Sequence, residues 1–110
     1  MELTERVLDN TLVVDIAGSL DTQTAGAAMD ALQVYLDGKP DNFLINLSGL
    51  DFVSSSGLRV ILRAAKQVRA KGGNMKVCGA RGMVKEVLEI SGFDRLLALH
   101  DEEAQALAAF

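Results

Sequence analysis

The order of periodicities along this chain predicts an α/β domain with a mixed sheet of four to five strands and about four helices. Three observations carry that expectation. Two strand-like runs come first, separated by the turn signal Asp9-Asn10. Helical and strand periods then alternate to the end of the sequence, which implies right-handed parallel crossovers. The chain has 110 residues, 49% of them apolar, enough for one core and without a linker-like stretch, so residues 1–110 are expected to form a single domain.

Leu3 to Leu8 is too polar for a central strand but suits a sheet edge, and the β-branched run Thr11 to Gly18 reads as its hairpin partner. From Thr22 the period lengthens. Ala25, Ala28, Met29, Leu32 and Leu36 fall at three- and four-residue steps, giving an amphipathic helix that Asp21 or Thr22 can cap and that Gly38 and Pro40 stop. Asn42 to Leu47 is a short continuous apolar strand of the kind covered on both faces. After the break Ser48-Gly49, Leu50 to Val53 leads into a second helix from about Ser55 to Lys71, ended by Gly72-Gly73. Asn74 to Cys78 is a further strand, and Gly79 turns the chain into a third helix running through Val84, Val87 and Leu88 to Gly92. Leu96 to His100 forms a short last strand. Asp101-Glu102-Glu103 then sit at the positive start of a final helix.

Composition narrows the function. The net charge of -4 leaves no basic excess to neutralise phosphates, so nucleic acid is not an expected partner. Cys78 is the only cysteine, which excludes an internal disulfide, and no cluster of ligand residues points to a metal or cofactor. No apolar run approaches the roughly 20 residues that span a bilayer, and Met1 to Leu8 lacks the features of a signal peptide. A cytoplasmic protein, monomeric when free, is the expectation. Cys78 and the aromatic residues Phe52 and Phe93 are read as packing, and His100 as a surface or capping residue.

The informative segment is Leu50-Asp-Phe-Val-Ser54-Ser55-Ser56-Gly57-Leu58-Arg-Val-Ile-Leu62, which joins a buried strand to a helix. Sites in open α/β sheets are built beyond the carboxyl ends of strands. Serine is a good N-cap, yet one is sufficient, and glycine inside a helix costs about 1 kcal/mol against alanine. Three hydroxyls and Gly57 therefore point to an exposed tip with a second use. Behind it, Leu58, Ile61, Leu62, Ala65 and Val68 make one apolar face for the sheet. Val60 and Ala64 form another stripe beside Arg59, Arg63 and Lys66, read either as a docking surface or as a contact with a neighbouring helix.

Phe52 to Leu62 resembles the phosphorylation segment of STAS-domain proteins, specifically the bacterial anti-sigma-factor antagonists. Gly18-Ser-Leu-Asp21 with Thr24-Ala25 resembles that family's Gly-x-Leu-Asp turn; Asn46-Leu47, Gly79 and Gly92-Phe93 match its other landmarks, so the likeness spans almost the whole chain. The resemblance implies a STAS-like fold and partner switching. Such a protein binds an anti-sigma factor that is also a serine protein kinase, freeing a sigma factor. The kinase phosphorylates the serine before Ser/Thr-Gly, and a metal-dependent serine phosphatase reverses it. Carried over, the acceptor is Ser55, with Ser54 and Ser56 as alternatives, and the partner-binding residues are Asp21, Ser54, Ser56, Gly57, Arg59, Val60 and Arg63. The family usually has aspartate before the acceptor where this chain has Ser54, a change that bears on kinase recognition. The resemblance also implies a second use of the same domain, as a regulatory or scaffolding subunit in stress signalling or lipid transport, sometimes without phosphorylation.

Enzymatic readings find less support. A nucleophile elbow needs Gly-x-Ser-x-Gly, and Val53 stands where the first glycine belongs. Gly79-Ala-Arg-Gly82 lacks the spacing of a dinucleotide fingerprint, and Asp15 and Asp51 do not make the acidic cluster of a receiver domain. No catalytic residue is assigned.

Overall fold

The computed structural model describes all residues, Met1–Phe110. The elements are β1 (Glu2–Leu8), β2 (Thr11–Leu20), α1 (Ala25–Asp37), β3 (Asn42–Asn46), β4 (Leu50–Val53), α2 (Ser55–Ala70), β5 (Asn74–Cys78), α3 (Gly82–Ile90), α4 (Phe93–Leu96), β6 (Ala98–His100) and α5 (Glu103–Ala108). The sheet order is β1-β2-β3-β5-β6, with β1 antiparallel to β2 and the other neighbours parallel. The mixed sheet is as expected, with six strands and five helices.

The additional strand is β4. Its residues read as a lead into the helix because only four of them are extended, with Asp51 and Phe52 both exposed. They pair with the end of β2, which continues past Gly18 to Leu20. The register shifts between Gly18 and Ser19, where Gly18 has φ +93°, a conformation only glycine takes easily. This bulge lets one strand serve two neighbours: Thr11 to Asp15 pair with β3, and Gly18 to Leu20 pair with β4. The other differences are at element ends. Helix α1 begins at Ala25 rather than Thr22, and the last segment divides into a helical turn, Phe93–Leu96, and a strand of only three residues.

Alternation along β2, β3 and β5 sends side chains to two cores. Val14, Ile16, Phe43, Ile45, Met75 and Val77 face α1, α2 and α3, whereas Val13, Leu44 and Cys78 face Ala106 of α5. β3 is thus covered on both faces, as its continuous apolar run predicts. The Cys78 thiol is pushed up to about 12, chiefly by burial and secondarily by the charges of Glu103 and Asp15, so it is a packing group. Helix α5 is pinned by polar contacts as well. Arg6 donates to both carboxylate oxygens of Asp15 at 2.7 and 2.9 Å and also bonds Glu103, whose Oε1 accepts from Asn46 Nδ2 at 3.0 Å. The Arg6 guanidinium holds the Glu103 carboxyl below its ordinary value; burial opposes this and Asn46 assists it.

A carboxyl whose folded value is depressed stabilises the fold above its unfolded value and loses that contribution as pH falls through the folded one. Stability should therefore decline as pH drops below 4.5, the ordinary value for Glu103, and Glu103→Gln should flatten that decline. At neutral pH the same substitution should cost about 1 kcal/mol in urea unfolding, the worth of a charge-assisted hydrogen bond at a partly exposed site.

Candidate functional site

The three serines end up in three different environments. Ser54 is the N-cap of α2, extended at ψ 175°, and its Oγ accepts from the Gly57 N–H at 3.3 Å. Its own N–H donates to the Leu20 carbonyl at 3.0 Å, so the cap is fastened to the end of β2. Ser55 is the first helical residue, is exposed, and makes no side-chain hydrogen bond. Ser56 is half-buried, with its Oγ 3.4 Å from Thr22 Oγ1. One serine caps, one bridges to the neighbouring turn, and one is free.

Gly57 corrects the sequence expectation of an exposed tip residue. It is buried, and a Cβ there would overlap the Leu20 carbonyl oxygen, come within 2.8 Å of Leu20 Cγ and meet Val53 Cγ2 at 3.0 Å. The glycine is required by the close approach of α2 to the β2 end, so it shapes the site without facing a partner. Val60 and Ala64 are corrected likewise. Both are buried, in the main core, where α2 packs beside α1, and the neighbouring-helix reading of that stripe holds. Phe52, read as packing, is instead 42% exposed on β4, whereas Phe93 is buried as expected.

Asp21 lies in the turn before α1. Its Oδ1 accepts from the N–H groups of Gln23 and Thr24 at 2.9 and 3.1 Å, and Thr24 Oγ1 donates to the Ser19 carbonyl at 2.9 Å. That Asx turn holds Thr22 against Ser56. Beside this bridge runs a groove of about 230 Å³, lined by Ala25, Gly26 and Met29 of α1 and by Ser56, Arg59, Val60 and Arg63 of α2. The structure thus brings Ser56, Arg59 and Arg63 onto one surface with Val60 as part of its floor, and Asp21 joins them through the Thr22 turn. Sequence reasoning named Thr22 as a cap and Phe52 as packing, and neither as a site residue. Thr22 carried a signal, as a hydroxyl beside Asp21, but it was absorbed by the capping role; an exposed Phe52 had none.

His100 ends β6, three strand spacings or about 14 Å across the sheet from β2, so no imidazole meets the Ser55 hydroxyl. Its Nε2 is enclosed without a hydrogen-bond partner rather than lying at the surface.

A serine-bearing helix start held on a bulged strand, with the Gly18-to-Asp21 turn beside it, is a specific arrangement. The STAS domain family model matches residues 2–106. This chain belongs to the STAS domain family. BtrV of Bordetella bronchiseptica is 34% identical to it over 110 residues, 100% of this chain and 95% of that protein. The anti-sigma F factor antagonist of Paenibacillus polymyxa is 32% identical over 97 residues, 87% of this chain and 83% of that one. An anti-sigma factor antagonist from Mycobacterium paratuberculosis superposes with a TM-score of 0.90 at 26% identity, covering 98% of this chain and 92% of its own. The phosphorylated form of the Bacillus cell fate determinant SpoIIAA shares the fold, with a TM-score of 0.73 at 18% identity and 98% of both chains covered. No helix of the STAS chain is long and apolar enough to cross a membrane.

The three serine environments predict different costs. Ser54→Ala should lower unfolding free energy by about 1 kcal/mol through loss of the cap, whereas Ser55→Ala should stay within about 0.5 kcal/mol of wild type. Gly57→Ala should cost about 1–3 kcal/mol by overpacking against Leu20. Chemical denaturation of the three variants checks this order.

Proposed function

We propose that this protein is an anti-sigma factor antagonist that works by partner switching. In its unphosphorylated form it docks on an anti-sigma factor that is also a serine protein kinase, and phosphorylation of Ser55 releases it. A serine phosphatase restores the binding form. The contact surface is the serine tip, Ser54 to Ser56, with Asp21, Arg59 and Arg63 around the adjoining groove. The names of the Paenibacillus and Mycobacterium relatives support the partner class. The observation that carries the choice of acceptor is the free, exposed Ser55 hydroxyl between a capping Ser54 and a half-buried Ser56.

The charge argument gives the switch its direction. A phosphate adds about -1.5 to -2 charges and three acceptor oxygens. At the start of α2 the free amides and the helix dipole favour an anion, so the fold has no need to rearrange. The cost falls on docking, which must desolvate a dianion or place it beside like charge. A cost of about 4 kcal/mol weakens affinity roughly a thousandfold.

Ser54 occupies the position where the family usually has aspartate, and its Oγ is committed to the Gly57 amide. The side chain before the acceptor therefore has a structural task here, and the cognate kinase must recognise the tip without a carboxylate beside it.

Ser55→Ala should keep affinity for the anti-sigma factor, and Ser55→Glu should lower it, as measured by isothermal titration calorimetry. Mass spectrometry after incubation with the kinase should find the phosphate on Ser55. Phosphate found only on Ser54 or Ser56, or equal affinity of the phosphorylated and unmodified forms, would contradict the proposal.

A further inference from the structure

Helix α2 carries an unusual charge distribution for an acidic protein. Of the 11 basic residues in the chain, Arg59, Arg63, Lys66 and Arg69 lie on this one helix, which contains no acidic residue. Their spacing of four, three and three places them along one exposed stripe. None is within 4.0 Å of a carboxylate, although the chain has 15 acidic residues and four ion pairs form elsewhere. Like charges at these spacings repel, and only Arg69, in the last turn, is favoured by the helix dipole. The stripe works against helix stability, so an external partner is its natural counterpart.

A second groove, of about 220 Å³, borders the far half of the stripe. Leu62 and Ala65 of α2 and Leu96 and Leu97 beyond form its apolar walls, and Lys66 and Arg69 stand at its rim. Leu96 is 50% exposed, and its carbonyl accepts from Arg69 Nη2 at 3.1 Å, which holds one rim residue over the groove.

We infer that the α2 stripe and the α2–α4 groove together bind an acidic amphipathic segment of the anti-sigma factor, an apolar side chain seating between Leu62 and Leu96 while carboxylates face Arg63, Lys66 and Arg69. This rests on the proposed function and extends its contact surface along α2, away from the serine tip. The complementarity is of charge and shape: an unpaired cationic row beside an apolar slot fits an acidic amphipathic segment. A nucleic-acid or lipid phosphate is disfavoured as the occupant by the net charge of -4 over the whole chain.

The test is calorimetric and kinetic binding of the purified full chain to the anti-sigma factor, with Ser55→Glu, Leu96→Gln and Lys66→Glu variants. These three sites are exposed, so circular dichroism and the melting temperature should match wild type. Leu96→Gln should weaken affinity roughly tenfold through faster dissociation. Lys66→Glu should slow association several-fold at low salt, the difference shrinking by about 0.3 M salt. Wild-type affinity and rates in both groove variants, with Ser55→Glu still weakened, would overturn this inference and leave the serine switch standing. No binding of wild type at all would overturn both. Concentration-dependent self-association that Leu96→Gln abolishes would make a second copy the occupant and overturn the assignment.

Discussion

The backbone at the end of β2 and the first turn of α2 are in contact, and most of the site follows from that contact. Ser54 donates its N–H to the Leu20 carbonyl, and Gly57 faces the same carbonyl with no side chain to hold it off. The bulge at Gly18 brings Leu20 into place by turning β2 from β3 toward β4. The helix start is therefore positioned by backbone on both sides, and Ser55 is held at an exposed first helical position with its hydroxyl uncommitted. A group presented this way can be modified without disturbing what holds it.

That rigidity has a second source on the opposite face of the sheet. Helix α5 closes the smaller core over Val13, Leu44 and Cys78, and the Arg6–Asp15–Glu103 cluster ties β1, β2 and α5 together. With both faces covered, the sheet is a fixed platform, and a charge added at the α2 tip acts on an approaching partner rather than on the fold. The proposed switch therefore works by repulsion and desolvation at an interface, without a conformational transition inside the domain.

Much of the fold was legible in the sequence because its elements have strong periods. Ala28, Met29, Leu32 and Leu36 are all buried on α1, as their spacing requires, and the alternation of Phe43, Leu44 and Ile45 serves two cores. Strand β4 was not legible, since its pairing depends on a bulge far upstream at Gly18 in β2 and its exposed Asp51-Phe52 breaks any apolar pattern. The serine tip was recognised from its residues, but the division of labour among the serines was not. That division is set by where Leu20 and Thr22 lie in space, which local sequence does not encode. Gly57 was misread and Val60 left open for a related reason: a glycine or valine on a helix gives no sign of whether a strand end or a second helix will cover it.

The central claim is that the partner covers the free Ser55 hydroxyl and the α2 surface around it while the domain keeps its structure. Amide chemical-shift mapping during titration with the anti-sigma factor tests this most directly. The account predicts changes confined to the turn around Thr22, the adjoining start of α1, residues Ser54 to Arg69, and Leu96 and Leu97 across the second groove, with the resonances of β1 and α5 unmoved. Changes centred on β1 and α5, with the serine tip unaffected, would contradict it.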